Sequence, residues 1–459
     1  MYFKVKDIID ICDGYLYSGD INIDCINFSK DTRTINKGDV YIGIKGDSFD
    51  GNSFYLNAFE NGASVCILEE SFLDNLKDTD KTIIIVKDSI EALRKLATSK
   101  LDKSDVKVVA VTGSVGKTST RDMIYSVVSK KYKTLVTEKN YNNHIGLPLT
   151  ILRLKDEEVL VLEMGMNNLG EIKYLSDIAK PDIAVITNVL EVHIENLKTL
   201  DNVLKAKLEI TSSLKDKLII NNDDPSLHNI NIKNIDVITC GINNPSDYYA
   251  YNIDKDGYKV KINGEEFYFS NKVGTSAYVL NGLLAIAVGL YLNVDIKDIQ
   301  KGISEYNLTE GRLEKTITKE NITIIDDSYN ASPESMKNGL EYLINEEGKR
   351  KIAILGDINE LGERAEVLHK EVGYYLEKNP IDALITIGKH CINISNIAKS
   401  KMEDVYHFNT KDEANKFLKK YFKDGDIVLV KASNGNKFIE IVNLLKENYW
   451  NKYIYVLNY

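Results

Sequence analysis

An apolar strand, a loop of small residues and an amphipathic helix follow one another at residues 106–124, with the sequence VKVVAVTGSVGKTSTRDMI. Such a unit aims backbone N–H groups and the positive end of a helix at one point, where an anion is favoured. The strand is uniformly apolar, as strands are in parallel sheets that are covered on both faces. The segment therefore predicts an α/β domain with a phosphate site at one edge of its sheet.

The loop of this unit supplies the groups that a nucleotide phosphate needs. Glycines allow close approach of the backbone, Lys117 can reach the outer phosphates, and the Thr118 hydroxyl can bind Mg²⁺. The spacing departs from GxxxxGK[ST], because Val111 stands six residues before Lys117. The alternative is a glycine-rich turn with a solvent-exposed lysine, but the flanking strand and helix favour nucleotide binding. The predicted ATP contacts of the loop are Gly113, Ser114, Gly116, Lys117, Thr118 and Ser119.

Strand-like and helix-length segments alternate along most of the chain. Its 459 residues allow two to four domains, and we predict three. These are a small α/β domain at residues 1–102, a central nucleotide-binding domain with a parallel sheet at 103–311, and a Rossmann-like doubly wound domain at 312–459. The last domain has no GxGxxG after its strands, so the sequence does not support a dinucleotide there.

Eight apolar segments define the sheets of the two larger domains. In the central domain they are KVVAVTG, EVLVLEMG, DIAVITN and DKLIINNDD, and in the C-terminal domain ITIIDDS, KIAILGD, DALITIG and DIVLVKAS. Each group alternates with helical segments, as parallel sheets require.

Composition limits the possible partners. Hydrophobic residues make up 43% and charged residues 27% of the chain, which is typical of a globular protein. The net charge of −10, with basic residues scattered among acidic ones, argues against nucleic acid or a membrane surface as the main partner. The five cysteines are far apart and form no CxxC pair, which favours a reducing compartment over a disulfide framework or a zinc site.

The N-terminal sequence MYFKVKDIIDICDG lacks the uninterrupted apolar run of a signal peptide. The most apolar stretch, Tyr278 to Val294, is short and interrupted by Asn281 and two glycines, which favours a buried helix over a membrane span. We therefore predict a cytoplasmic protein, and we expect a monomer although no sequence feature fixes the oligomeric state.

Two polar residues follow strands of the central domain. Glu163 ends the strand EVLVLEMG, where its carboxylate could hold the Mg²⁺ that bridges the outer phosphates. His193 lies in the loop after the next strand, as a second metal ligand or a proton carrier. The alternatives are an exposed acid at a strand end and a solvated loop histidine.

Lys207 falls on the apolar stripe that Leu200, Val203, Leu204 and Leu208 form in the segment LDNVLKAKLEI. A lysine at such a position either extends to solvent or is held by a partner, because an unpaired buried ammonium is costly. The second alternative makes Lys207 a charged or modified group of the site.

Asp326 and Asp327 end another strand and precede SYNASPESM, in which Pro333 suits the first turn of a helix. Paired carboxylates in a second domain indicate a cleft between domains. The alternative is that one of the two caps the helix.

In their order along the chain, the motifs resemble the Mur ligase family of ATP-dependent amide ligases. The resemblance rests on KDTRTINKGDVYIGIKGDSFDGN (30–52), TGSVGKTST, TEKNYNNHIGLPLT (137–150), EMGMNNLGEI (163–172), ITNVLEVHIENL (186–197), KAKLEI (205–210), GRLE (311–314), DDSYNASPESM (326–336) and LGDINELGE (355–363). Two of these segments, EMGMNNLGEI and DDSYNASPESM, favour the branch that adds D-alanyl-D-alanine to UDP-N-acetylmuramoyl-tripeptide in peptidoglycan synthesis.

The resemblance implies roles for individual residues. Lys117 and Thr118 would serve the phosphates and Mg²⁺, Glu163 a first metal ion, and His193 and Lys207 a second, with Lys207 carbamylated. Further nucleotide contacts are implied for Asn281, Arg312, Asp326 and Asp327. Contacts with the UDP substrate are implied for Thr32, Arg33, Asn142 and Asn143, and with the incoming dipeptide for Asn330, Asp357 and Glu360.

The resemblance implies an N-terminal domain for the UDP-sugar, a central ATP domain, and a C-terminal domain that brings the dipeptide. Ala277, the sequence VKAS at 430–433 and the sequence NASP depart from the commoner family residues. A sibling ligase that adds one amino acid, including the folylpolyglutamate type, remains the alternative. The third residue of the tripeptide, diaminopimelate or lysine, stays open.

Overall fold

The computed structural model describes residues 2–46, 48–192, 194–228, 230–308 and 311–448. Within these residues the strands form a two-stranded ribbon and three larger sheets of five, nine and six strands. One larger sheet lies in each of the three predicted regions, which confirms the three-part α/β architecture.

The first region is a small α/β unit. Its elements are β1 (Phe3–Lys4), α1 (Val5–Cys12), β2 (Tyr15–Ser18), β3 (Asp24–Cys25), β4 (Phe28–Ser29), β5 (Val40–Ile42), α2 (Tyr55–Glu60), β6 (Val65–Glu69), β7 (Thr82–Val86) and α3 (Ser89–Asp102). Strands β4, β5, β6 and β7 run parallel, and β2 pairs antiparallel with β7. The β7 sequence TIIIV is buried throughout, as expected of a strand covered on both faces.

The central region carries the nine-stranded sheet. Its elements are β8 (Lys107–Thr112), α4 (Lys117–Val128), β9 (Thr134–Val136), α5 (Gly146–Leu152), β10 (Val159–Glu163), α6 (Glu171–Ala179), β11 (Ile183–Ile186), α7 (Ile194–Leu197), α8 (Leu200–Leu208), β12 (Lys217–Asn221), β13 (Asp236–Gly241), β14 (Tyr248–Tyr251), β15 (Gly257–Ile262), β16 (Glu265–Ser270), α9 (Ser276–Tyr291) and α10 (Ile296–Glu305). The strand order is β16-β15-β14-β13-β12-β11-β8-β10-β9.

Strand β8 lies between β10 and β11, and all three run parallel. Their carboxyl ends, and the loops that follow them, therefore meet at one edge of the sheet. The four segments predicted as strands of this sheet form β8, β10, β11 and β12, so that prediction is confirmed. The antiparallel pair β15 and β16 at the far edge was not predicted, because its charged and aromatic residues lack the apolar run of the inner strands.

The apolar stretch from Tyr278 onward forms most of α9, whose middle is almost wholly buried. The prediction of a buried helix is therefore confirmed. Among the described residues, no helix has both the length and the apolar character that crossing a membrane requires.

The C-terminal region contains the six-stranded sheet. Its elements are β17 (Glu314–Ile317), β18 (Thr323–Asp326), α11 (Pro333–Asn345), β19 (Arg350–Gly356), α12 (Ala365–Lys378), β20 (Ala383–Ile387), α13 (Ile392–Ala398), β21 (Asp404–Phe408), α14 (Lys411–Tyr421), β22 (Asp426–Lys431) and α15 (Ile439–Asn448). The order is β17-β18-β22-β19-β20-β21, parallel except for β17. The four predicted strands are confirmed, whereas the two edge strands β17 and β21 were not predicted.

Helix α5 joins the first two regions. Its residues Leu149 and Leu152 pack into the core of the first region with Val40 and Ile42. The segment that carries Asn142 and Asn143 leads directly into α5, so this packing fixes where that segment meets the edge of the central sheet.

Candidate functional site

The loop after β8 has the predicted strand–loop–helix shape. β8 ends at Thr112 and α4 begins at Lys117. Gly113 and Gly116 have φ angles of 151° and 84°, which favour glycine. A side-chain carbon on Gly113 would lie 1.9 Å from the hydroxyl oxygen of Thr187, so the loop cannot take this path with a larger residue.

The two residues that follow the neighbouring strand β11 hold this loop by hydrogen bonds. The Thr187 hydroxyl donates to the Val115 carbonyl at 2.6 Å, and Asn188 Oδ1 accepts the Val115 N–H at 2.8 Å. The Ser114 N–H donates to the Asn188 carbonyl at 3.0 Å. These bonds hold the loop in place at the N-terminus of α4, where an anion is favoured.

Lys117 is half-buried, with its ammonium folded onto its own loop. Nζ donates to the carbonyls of Gly113 at 2.8 Å and Ser114 at 3.1 Å. Burial lowers the pKa of Lys117, while the carboxylate of Glu163 acts in the opposite direction. The alternative of a solvent-exposed lysine is therefore wrong.

Glu163, at the end of β10, is 3% exposed, so the alternative of an exposed strand-end acid is wrong. Its Oε1 accepts from Asn142 Nδ2 at 2.8 Å, and its Oε2 accepts from the Arg121 guanidinium at 3.2 Å. Asn142 belongs to the predicted UDP-substrate segment, so the predicted metal ligand and that segment are in direct contact.

Arg121 is a site residue that the sequence reasoning missed. Its side chain is buried and also pairs with Asp122 at 2.6 Å and donates to the Lys139 carbonyl at 3.2 Å. Arg121 therefore ties α4, Glu163 and the segment before Asn142 together. The available signal was an arginine on the buried face of α4, next to Thr120.

Lys207 is 1% exposed, which makes the alternative of a side chain extending to solvent wrong. The buried residues of α8 are Val203, Ala206 and Lys207, whereas Leu200 is 36% exposed, so the predicted apolar stripe is wrong at its first position. The Lys207 ammonium forms no hydrogen bond or ion pair with the residues that the structure describes. Burial, with the charge of Lys117, lowers the pKa of Lys207 well below its usual value.

The predicted metal ligands are only partly described. His193 lies outside the described residues. Among those described, no three His, Cys, Asp or Glu side chains are grouped to hold a metal by themselves. Thr118 and Glu163 line the same cleft, and their hydroxyl and carboxylate oxygens suit a Mg²⁺ that takes further oxygens from a nucleotide.

The predicted nucleotide contacts Asn281 and Arg312 both bind hydroxyl groups in the first turn of α4. Asn281 Oδ1 is 3.1 Å from the Thr120 hydroxyl, and the Arg312 guanidinium donates to the Thr118 hydroxyl at 3.2 Å. The guanidinium of Arg312 also lies over the ring of Tyr329, 4.7 Å from its centroid. Arg312 thus connects the central and C-terminal regions at the cleft.

The carboxylates of Asp326 and Asp327 both accept hydrogen bonds from residues of the C-terminal region. Asp326 accepts the Ser328 N–H at 3.0 Å, and Asp327 accepts from the Lys431 ammonium at 2.6 Å. Helix α11 begins at Pro333, as predicted, but Ser332 caps it. The alternative in which one aspartate is the helix cap is therefore wrong.

The predicted substrate residues fall into two groups. Asn142, Asn143, Asn330 and Glu360 line the cleft. In the described part of the chain, the cleft lining does not include Thr32, Arg33 or Asp357. The Arg33 side chain is 86% exposed and pairs with Asp31. The Asp357 carboxylate accepts the N–H groups of Lys389, His390 and Cys391 at 2.7 to 2.8 Å.

The cleft has a volume of about 440 Å³. One wall comes from the central region, with the phosphate loop and Glu163, and the other from the C-terminal region, with Asn330 and Lys431. The prediction of a cleft between two domains is therefore confirmed. The arrangement can bind phosphates on one wall and present polar loops to a second substrate on the other.

Ala432, which replaces the commoner glycine of the VKGS sequence, is buried. If Gly356 carried a side chain, its Cβ atom would lie 2.7 Å from the methyl carbon of Ala432. The extra methyl group relative to glycine is therefore accommodated by glycine on the neighbouring strand.

Comparison with known proteins follows the same division of the chain. The profile of the Mur ligase middle domain matches residues 111–289, and that of the Mur ligase glutamate ligase domain matches residues 311–434. A UDP-N-acetylmuramoyl-tripeptide--D-alanyl-D-alanine ligase from Bacillus subtilis (strain 168) is 37% identical over 97% of this chain and 98% of its own length.

Solved structures extend this similarity to the whole fold. MurF from Acinetobacter baumannii superimposes with a TM-score of 0.87 at 27% identity, over 97% of this chain and 99% of that protein. MurF ligase from Thermotoga maritima, in complex with ADP, gives a TM-score of 0.79 at 30% identity, over 92% and 97% of the two chains. With its phosphate loop, its two-walled cleft and similarity over nearly its full length, the chain belongs to the Mur ligase family.

Proposed function

We propose that this chain is an ATP-dependent, ADP-forming ligase that adds D-alanyl-D-alanine to UDP-N-acetylmuramoyl-tripeptide. The observation that carries the proposal is that a single cleft joins the phosphate loop and Glu163 to the loops of Asn330 and Glu360. The relative from Bacillus subtilis, named for that reaction, supports it at 37% identity. The function implies a cytoplasmic, Mg²⁺-dependent enzyme that serves peptidoglycan and cell-wall biogenesis, and through it cell shape and division.

We assign the UDP-sugar to residues 1–102, ATP to 103–311 and the dipeptide to 312–459. Thr32 and Arg33 would hold the UDP end, and Asn142 and Asn143 the part that enters the cleft. This division suits a long substrate, because Arg33 is exposed in the first region whereas Asn142 touches Glu163.

The first chemical step activates a carboxylate, which is a poor electrophile because its charge is delocalised. The terminal carboxylate of the tripeptide attacks the γ-phosphorus of ATP, the bond to the bridging oxygen breaks, and ADP leaves. Lys117 offsets the repulsion between the two anions from within the phosphate loop. Mg²⁺, held by Thr118, Glu163 and nucleotide oxygens, would supply further charge neutralisation.

Lys207 is proposed to be carbamylated. The ammonium first loses a proton, and the neutral amine then adds to carbon dioxide and releases a second proton, so that a cation becomes a carbamate anion. Burial and the charge of Lys117 lower the pKa of Lys207 and so favour the neutral amine that this reaction needs. The carbamate would then join His193 as a ligand for a second metal ion, and its charge would attract the ammonium of Lys117.

The second step forms the amide. The neutral amine of D-alanyl-D-alanine attacks the acyl carbon, and the carbon–oxygen bond to phosphate breaks as inorganic phosphate leaves. Water would compete as a nucleophile, so the cleft must be closed. Arg364 of the C-terminal region forms an ion pair with Glu191 of the central region and supports such closure.

The direct test is to mix the protein with ATP, Mg²⁺, D-alanyl-D-alanine and UDP-muramoyl-tripeptides that contain either diaminopimelate or lysine. Mass spectrometry should find the pentapeptide, with one ADP per amide formed. Parallel reactions with single amino acids or folate and glutamate test the sibling ligases. Product from a single amino acid and none from the dipeptide would overturn the proposal.

A further inference from the structure

Lys431 is the last residue of β22 and is almost wholly buried, yet it lines the cleft. Its ammonium donates to Asp327 Oδ2 at 2.6 Å and to the Asn330 carbonyl at 3.1 Å. Both partners belong to the loop between β18 and α11. A single side chain therefore spans this loop from its first residue to the residue predicted to face the dipeptide.

The ion pair is unlike the exposed pairs of the protein surface. The side chains of Lys431 and Asp327 are 3% and 11% exposed. Burial raises the pKa of Asp327, and the charge of Lys431 acts against that shift. Buried pairs recover their desolvation cost only with good geometry and further hydrogen bonds, which Asn330 supplies here.

The two halves of this loop are held differently. On the nucleotide side, the Asp327 N–H donates to the Val430 carbonyl at 3.0 Å, and the Tyr329 N–H donates to the Gly311 carbonyl at 3.2 Å. The ring of Tyr329 also lies under Arg312. This half therefore has backbone bonds that do not depend on Lys431.

On the dipeptide side, the loop depends more on Lys431. The Asn330 side chain accepts the Ala331 N–H, a bond within the loop, and the Asn434 N–H at the long distance of 3.4 Å. The Ser433 hydroxyl reaches the Ala331 carbonyl at 3.4 Å. The bond from the Lys431 ammonium to the Asn330 carbonyl is shorter than these two 3.4 Å bonds, and its donor is charged.

We propose that Lys431 is a positioning residue that fixes Asn330 in the orientation needed to receive the dipeptide. This inference rests on the proposed function and deepens it, because it names a residue that sets the affinity for the acceptor. Lys431 acts through the loop and does not need to touch either substrate.

The test is the variant K431M, which removes the ammonium and keeps an unbranched chain. The KM for D-alanyl-D-alanine should rise at least about tenfold, as expected from losing a hydrogen bond to a charged group. The KM for ATP should stay within about threefold, because the nucleotide half keeps its backbone bonds. The matched control is K349M, which removes the exposed partner of Asp424 before β19. Its KM values should equal those of the wild type.

K431M leaves Asp327 buried without its partner and lowers stability, so K431M/D327N separates folding from positioning. The double variant should regain thermal stability, but its KM for the dipeptide at saturating ATP should stay high. K431R, which keeps the charge, should give an intermediate KM.

The inference would be overturned if K431M or K431M/D327N had a KM for D-alanyl-D-alanine within about twofold of the wild type. It would also be overturned if K431M raised the KM values for the dipeptide and for ATP equally. Wild-type protein that makes no ADP with tripeptide and dipeptide would instead overturn the proposed function.

Discussion

The carboxyl edges of the central and C-terminal sheets differ in how their charges are satisfied. At the central edge, the Lys117 ammonium donates to two carbonyl groups of its own loop. Among the described residues, the Lys207 ammonium has no hydrogen-bond or ion-pair partner. At the C-terminal edge, Lys431 is paired with Asp327, and Asp357 accepts three backbone N–H groups. The two lysines of the central edge are thus suited to charges that arrive with ligands, although Glu163 at that edge is already paired with Arg121. At the C-terminal edge, Lys431 and Asp357 are satisfied by groups of the protein itself.

Both edges belong to parallel sheets of the same general design, so the fold alone does not create this difference. It comes from the residues in the loops that follow the strands, where α/β proteins place their binding groups. The comparison predicts that substitutions at the central edge abolish chemistry, whereas substitutions at the C-terminal edge change substrate affinity or stability.

The largest effect is expected from K117A. Loss of the ammonium removes charge neutralisation at the γ-phosphate, so kcat/KM should fall by about 10³-fold or more while the fold survives. ADP release and circular dichroism measure the two properties. The matched control is K130A, a partly buried lysine just beyond the same helix that pairs with Glu305. Near-normal ligation by K117A would contradict the claim that the central edge carries the chemistry.

The next effect is expected from K207A, which removes the proposed carbamate. Activity should fall by about 10²-fold or more and be partly restored by acetate or propionate, which can supply a carboxylate in the same space. K205A, an exposed lysine on the same helix, is the control and should be active. If neither bicarbonate depletion of the wild type nor added acids in K207A changes the rate, the carbamate is excluded.

A smaller effect, on stability, is expected at the C-terminal edge. There the neutral imidazole of His369 binds the loop that carries Glu360. Nε2 accepts the Ile358 N–H at 3.0 Å, and Nδ1 lies 2.6 Å from the Ala365 carbonyl, which it can only meet as a donor. Burial lowers the pKa of His369. The bond to the Ala365 carbonyl and the charge of Asp357 oppose this shift, whereas His390 adds to it.

Because the unfolded chain then binds a proton more readily, the stability that neutral His369 contributes is lost as the pH falls through about 6.5. Thermal unfolding at pH 8 and pH 5.5 should show a larger loss in the wild type than in H369Q, by about 1 kcal/mol. His407 also has its pKa lowered by burial, but it is common to both proteins. Equal losses in the two proteins would show that His369 does not hold the loop through its neutral form.

The smallest effect is expected from R364Q, which breaks the ion pair between Arg364 of the C-terminal region and Glu191 of the central region. Both side chains are partly exposed, so the pair contributes about 0–1 kcal/mol, and kcat/KM should change no more than about fivefold. The effect should be weaker at high salt, and the charge-swapped variant R364E/E191R should restore the rate. A loss beyond about 10²-fold would assign Arg364 to the chemistry instead.

The sequence was sufficient for features that rest on local patterns. The phosphate loop, the inner strands, the buried helix α9 and Pro333 at the start of α11 follow from apolar runs, glycine positions and proline geometry. Edge strands such as β16 and β21 were missed because their residues are only partly buried and resemble loops in composition.

Long-range charge pairing could not be predicted from local patterns. Arg121 meets Glu163 across 42 positions and Lys431 meets Asp327 across 104, so nothing in either segment identifies its partner. Asp357 was placed near the dipeptide by its motif, but its carboxylate is used by backbone N–H groups of another loop. The roles of His193 and of the substrate residues stay predictions.

The most direct measurement is the fate of ¹⁸O placed in the terminal carboxylate of UDP-muramoyl-tripeptide during ligation. The account predicts that each amide formed transfers one labelled oxygen to inorganic phosphate, because the carboxylate oxygen becomes the bridge to phosphorus before the amine displaces it. Amide formation that leaves inorganic phosphate without label would contradict phosphoryl transfer to the carboxylate.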